Sequence, residues 1–199
     1  MPEQRIQQQF IDSADLQYQW AQTLARPVAE AARALLTCVT GGGKVLTCGN
    51  GASGALAQYV AALMVGGLER RRPELPALAL GTDAATLTAV ARRGEYADVF
   101  ASQVRALGSA GDVLLVLSSD GDAMNLARAA GAAHEREMSV IALTGRGGGE
   151  LGRMLRETDV HVCVPHTRVP RIHEAHQLVL HCLCDSLDLQ LLGDEENSP

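Results

Sequence analysis

Aromatic side chains are scarce in this chain: one Trp, three Tyr and two Phe among 199 residues, or 3%. So few rings leave no platform on which successive bases stack. The fill of Ala, Leu, Val and Gly favours helices packed on a compact sheet over an aromatic-rich sandwich. Positive charge is also short. Lys and Arg number 17 against 23 Asp and Glu, a formal net charge of −6, which argues against a protein that grips a phosphate backbone. Any role near DNA has to run through a protein partner, with no direct nucleic-acid contact. No CxxC pair occurs among the five cysteines, Cys38, Cys48, Cys163, Cys182 and Cys184. An odd, unspaced set reads as reduced thiols in a cytoplasmic core. A long apolar run is missing as well. Ala55 to Leu68 is broken by Gln58 and Gly66-Gly67, too short a stretch to span a bilayer. The start, Met1-Pro2-Glu3-Gln4-Arg5, leads into a Gln-rich polar stretch with no apolar segment behind a basic cluster. The expected compartment is the cytoplasm, with no membrane partner.

What is present is an ordinary globular composition, 47% hydrophobic and 20% charged, at a length that suits one well-buried domain. Ile6, Phe10, Ser13, Leu16, Trp20 and Leu24 recur at helical spacing, and Pro27 reads as the start of a second helix running to Thr40. Gly41-Gly42-Gly43 ends it. The body then alternates strand and helix. Strands are expected at 44–48, 75–80, 112–117, 139–143 and 159–164. Helices are expected at 54–68, 84–93, 96–107, from the loop after Ser118 to about Arg136, and from Arg168 or Pro170 to Leu192. The fold class predicted is α/β, a doubly wound five-stranded parallel sheet with two N-terminal helices. Residues 1–199 form a single domain on this reading. Residues 1–40 are a helical pair for oligomerisation, 41–192 the α/β body and 193–199 an acidic tail. The apolar stripe carrying Phe10 and Trp20 packs either on the last helix of its own chain or across a symmetry axis between subunits.

Two loops stand out, Gly49-Asn50-Gly51-Ala52-Ser53 and Ser118-Ser119-Asp120-Gly121. Each follows a buried strand and opens a helix, where backbone N–H groups and the helix dipole face an anion. Neither matches the dinucleotide fingerprint or the Walker pattern. Either set of serines also serves as plain helix caps.

Taken in order, KVLTCGNGAS, RPELPALALGTD, QVRALGSAGDVLLVLSSDGD, VIALTGRGGGEL and VPRIHEAHQLVLHCLCDSLD resemble the sugar isomerase (SIS) domain family. Within it the likeness is to the phosphoheptose isomerases (GmhA) and to DiaA, which binds the replication initiator DnaA. The resemblance covers nearly the whole chain. It implies a flavodoxin-like sheet and a homotetramer with sugar-phosphate pockets at subunit contacts. It also implies phosphosugar binding by Asn50, Ser53, Asp83, Ser118, Ser119 and His173, with His181 as the retained catalytic base.

Several positions depart from the isomerase pattern. The family's His and Glu, one turn apart on the helix after the first strand, fall at Tyr59 and Leu63, and its following Arg falls at Gly67. Leu63 neither accepts a proton from carbon nor binds zinc. Glu69, six residues on, lies on the far side of that helix. His173 stands where the family has Gln. His173 and His181 project within about 80° of each other on an ideal helix and are weak metal candidates, with zinc expected only if the chain is an isomerase. Otherwise they, with His176, are helix residues lining a subunit contact. The family's Ser-Thr-Ser-Gly-Asn-Ser run reads Ser118-Ser119-Asp120-Gly121-Asp122-Ala123 here. A carboxylate at about 4 Å from a phosphate charge costs about 4 kcal/mol at an effective dielectric of about 20, against about 1 kcal/mol gained from one hydrogen bond. Asp122 is placed to turn outward as the cap of the next helix. Arg92-Arg93 replace Asn-Asp, restoring positive charge or facing solvent.

From these departures the expected function is a non-catalytic, DiaA-like homotetramer that binds DnaA and promotes its assembly at the origin, with Leu191 and Leu192 as the partner-binding pair. No cofactor is expected on that reading. The alternative is a phosphoheptose isomerase acting on sedoheptulose 7-phosphate, or another phosphosugar-binding or isomerising protein.

Overall fold

The structure, a computed structural model, describes residues 1–193; of the expected acidic tail only Gly193 falls among them. Five parallel strands, β1 (Val45–Gly49), β2 (Ala77–Ala79), β3 (Val113–Leu117), β4 (Ser139–Gly145) and β5 (Val160–Val164), lie in the order β2-β1-β3-β4-β5. This is the flavodoxin-like order. Register is regular, with Val45 beside Val113 and Val113 beside Ser139. β1 and β3 are buried along their whole length. In β3, Val113, Leu115 and Leu117 enter one core while Leu114 and Val116 enter the other. Burial on both faces is why such strands read as unbroken apolar runs.

One face of the sheet is covered by α1 (Pro2–Thr40), α2 (Gly51–Gly66) and α7 (Val169–Leu192). The other is covered by α4 (Ala101–Leu107), α5 (Met124–Glu135) and α6 (Gly149–Met154). A further helix, α3 (Ala84–Arg93), follows β2, and a 3₁₀ turn at Tyr96–Asp98 leads to α4. The chain crosses from β1 to β2 on one side and then back to β3 on the other. That reversal opens a crevice beyond the carboxyl ends of β1 and β3, where open α/β sheets take their ligands. No described helix is long and apolar enough to cross a membrane.

Three local expectations are corrected. The two N-terminal helices are one helix of 39 residues with Pro27 inside it. An interior proline costs about 3 kcal/mol, but α1 buries Trp20, Ala31, Ala32, Leu35 and Cys38, and each large apolar side chain so buried contributes about 1.5–3 kcal/mol. Packing on α7 and β5 outweighs the missing hydrogen bond. Secondly, the expected elements include no helix between the fourth and fifth strands, and α6 lies there. Gly147, Gly148 and Gly149 all have positive φ, and the helix starts only at the last of them. Thirdly, Asp122 does not cap α5, whose N-cap is Ala123. Its carboxylate instead accepts the backbone N–H of Glu150 at 3.1 Å, in the first turn of α6.

Candidate functional site

The crevice is built by two tight turns. β1 ends at Gly49, where a Cβ would lie 2.6 Å from the Ser53 carbonyl oxygen, so only glycine lets the chain double back into α2. The loop after β3 holds Gly121 at φ +81°, and a side chain there would collide with the Gly148 carbonyl. The loops are tied together by an amide pair. Asn50 donates to Asn125 Oδ1 and Asn125 donates back to Asn50 Oδ1, each at 2.9 Å. Asn125 is buried in the first turn of α5 and carries no sequence signal of its own.

A cavity of about 160 Å³ lies between these loops, lined by Asn50, Ser53, Ser118, Ser119, Asp120 and Ala123. Four of the expected phosphosugar residues therefore meet in one place, beside the N-termini of α2 and α5. A fifth joins them: His173, in the first turns of α7, places Nε2 3.3 Å from Ser53 Oγ. Burial holds its imidazole below the ordinary value. The sixth, Asp83, does not line this cavity. It caps α3, accepting from the N–H groups of Ala85 and Thr86 at 2.9 and 3.2 Å, and the Thr86 hydroxyl is the first cause holding its carboxyl below the usual range. Asp120 turns its carboxylate into the loop, accepting from the Asp122 N–H at 3.1 Å and from Ser118 Oγ at 3.3 Å. Ser118 Oγ in turn accepts the Gly121 N–H at 2.9 Å.

α2 and α7 run side by side in the same direction, and polar pairs step along them. After Ser53–His173 comes Tyr59–His181, with the hydroxyl 2.8 Å from Nε2 and the rings edge-on at 5.7 Å and 64°. Beyond these, Arg72 closes the end of α2. It donates to the carbonyls of Leu63 and Met64 and pairs with Asp188 of α7, both side chains buried. Neither Arg72 nor Asp188 is legible as functional in sequence. Leu63 packs partly buried against the core. His176, fully buried, faces Thr144 O at 3.1 Å through Nε2. Arg92 and Arg93 are exposed in the last turn of α3, and Leu191 and Leu192 are 36% and 39% exposed at the end of α7.

The resemblance places zinc among positions 59, 63, 173 and 181, and the residues present do not fit it. Leu63 has no donor atom, and Tyr59 occupies Nε2 of His181. His173 turns its Nε2 to Ser53 and His181 its Nε2 to Tyr59, so each imidazole is engaged on a different residue of α2. Among the described residues no group of three His, Cys, Asp or Glu is placed to hold an ion.

Residues 9–145 match the family model of the SIS domain. This chain belongs to the SIS-domain family. Its relatives reach far beyond the domain match. The phosphoheptose isomerase of Methylibium petroleiphilum is 54% identical over 98% of this SIS-domain chain and 98% of that protein. The solved phosphoheptose isomerase GmhA from Neisseria gonorrhoeae superposes with a TM-score of 0.89 at 45% identity, covering 94% of this chain and 99% of that one. That from Francisella tularensis gives 0.90 at 42%, covering 94% and 98%. These findings overturn the expectation of a non-catalytic, DiaA-like adaptor for DnaA. They favour an enzyme of the isomerase kind. The substituted positions are few and the C-terminal stretch is one that isomerases share, whereas the identity runs over the whole SIS-domain chain.

Proposed function

We propose that this chain is a sugar-phosphate isomerase that interconverts sedoheptulose 7-phosphate and an aldoheptose 7-phosphate. The observation that carries the reading is the full-length identity with phosphoheptose isomerases, joined to a crevice whose hydroxyls and amides suit a phosphate. Ser118, Ser119 and Asn50, with the N-terminus of α5, hold the phosphate, and Ser53 with His173 borders it.

The reaction needs proton transfers between adjacent carbons. A base takes a proton from C1, the electron pair forms the C1=C2 enediol, and the C2 oxygen takes a proton. The O1 proton then leaves, the C1 carbonyl forms and C2 is protonated. His181 is the base on this reading, with the Tyr59 hydroxyl against it. Because His181 lies about 12 Å along α7 from His173, the reading also has a homotetramer in which one copy's Tyr59–His181 pair closes over another copy's phosphate cavity. Exposed Phe10 and Tyr18 on α1 suit such a subunit contact. The described residues form a single domain working in the cytoplasm.

The test is conversion of sedoheptulose 7-phosphate followed by NMR. The aldose phosphate is expected to appear, with the rate falling at least about 100-fold in His181→Asn. A protein that binds the ketose phosphate and leaves it unchanged overturns the reading.

A further inference from the structure

We propose that the Tyr59–His181 pair replaces the zinc site that the family resemblance implies, so that this chain holds no ion there and presents a hydroxyl–imidazole pair instead. The inference deepens the isomerase reading and rests on it only for what the pair does. The claim about the ion stands on geometry alone.

A closed zinc site takes four donors from imidazole, thiolate or carboxylate. On α2 the two positions one turn apart are a phenol and an alkyl group, Tyr59 and Leu63. At 2.8 Å the phenol engages the ring nitrogen that would otherwise carry the metal. The edge-on contact of the two rings fixes the imidazole in that orientation. Leu63 turns its side chain against the core while Arg72 covers its carbonyl at 3.0 Å. On α7 the neighbouring Cys182 faces the groove against α1, beside Trp20 and Leu24. Asp185, one turn beyond His181, is exposed, and with His181 it makes two donors at most. His173, the remaining family position, has its Nε2 engaged with Ser53.

The pair also has a chemistry of its own. With Nε2–H donating to the phenol oxygen, the Nδ1 lone pair is free, as the base proposed above requires; with the phenol donating instead, Nε2 is occupied and Nδ1 carries the proton. Tyr59 is thus a positioning residue that fixes the tautomer of His181, a task second-sphere partners perform at metal sites.

The test measures zinc directly. The wild-type protein is equilibrated with zinc chloride, dialysed, and its metal content determined alongside its thermal midpoint with and without zinc. The expectation is less than about 0.1 ion per chain and no zinc-dependent shift for wild type, and about one ion with a raised midpoint for Tyr59→His/Leu63→Glu. In Tyr59→Phe, ¹⁵N NMR is expected to show a changed tautomer ratio of the His181 imidazole. Stoichiometric zinc in wild type overturns the proposal. So does a folded double variant that takes up no zinc, because the exclusion would then not lie in these two side chains. An unmoved His181 tautomer ratio in Tyr59→Phe overturns the positioning role. Absent turnover with these zinc results intact removes the isomerase reading and leaves the assignment of the pair standing.

Discussion

His176 shows how a residue can look like part of a site and belong to the fold. It lies between His173 and His181 in sequence, yet its imidazole is fully buried, with Nε2 against Thr144 O and Nδ1 without a partner among the described residues. Burial pushes its pKa down to about 4, against about 6.5 when unfolded. The unfolded chain therefore binds a proton first as pH falls. The stability contributed by the neutral ring is complete above pH 6.5 and is lost as the medium acidifies through that value toward 4. At pH 4.5 the loss is about 2–3 kcal/mol relative to pH 7. Urea midpoints measured at both values should show it, and His176→Leu should flatten that part of the profile. Asp120 is the opposite case, a carboxylate lining the cavity that takes the phosphate. Asp120→Asn keeps an oxygen for the Asp122 N–H and removes the like charge, so inorganic phosphate is expected to bind at least about tenfold tighter by calorimetry. Unchanged affinity would mean that loop hydrogen bonds already neutralise the carboxylate. Of this site the sequence makes legible the loop residues, because Asn50, Ser53, Ser118 and Ser119 sit directly after apolar strands. Asn125 and the Arg72–Asp188 pair stay hidden, since their partners lie 75 and 116 residues away along the chain and no local pattern links them.

At the scale of elements, legibility follows where the stabilising contacts are. Strands buried on both faces announce themselves as DVLLVL or VIALTG, and the expected strands all recur within a few residues. α6 does not, because two positive-φ glycines precede it and a third is its first residue, and glycine signals a turn, not a helix start. α1 misleads in the other direction. A proline marks a boundary by local rules, and tertiary packing overrides it when the helix on both sides is held to the same neighbours. That explanation carries a consequence. Pro27 leaves the Thr23 carbonyl without its helical donor and contributes no packing that alanine would lose in full, so Pro27→Ala should raise the unfolding free energy by about 1–3 kcal/mol. Denaturant unfolding monitored by Trp20 fluorescence checks it. A loss of stability would instead mean that α1 is bent at Pro27 and that its packing on α7 depends on the bend.

In the whole molecule the two halves of the proposed chemistry are separated by the length of two helical turns on α7. The phosphate cavity is at the His173 end, and the Tyr59–His181 pair is further down the same helix. If the site is completed by a second copy, each half can be inactivated in a different chain. Ser118→Ala/Ser119→Ala removes the hydroxyls of the cavity and leaves His181 intact, while His181→Asn does the reverse. Each variant alone should be inactive, because every subunit contact then carries the same defect. Co-expressed, the two assemble at random, and a contact is whole only where a sound cavity meets a sound imidazole, which is about one in four in a symmetric oligomer. Mixed assemblies are therefore expected to recover about a quarter of the wild-type turnover of sedoheptulose 7-phosphate. No recovery from assemblies verified as mixed by mass would place cavity and imidazole of the working site in one chain. The substrate would then have to bridge the distance along α7 unaided, and the subunit contact would serve only to bury α1.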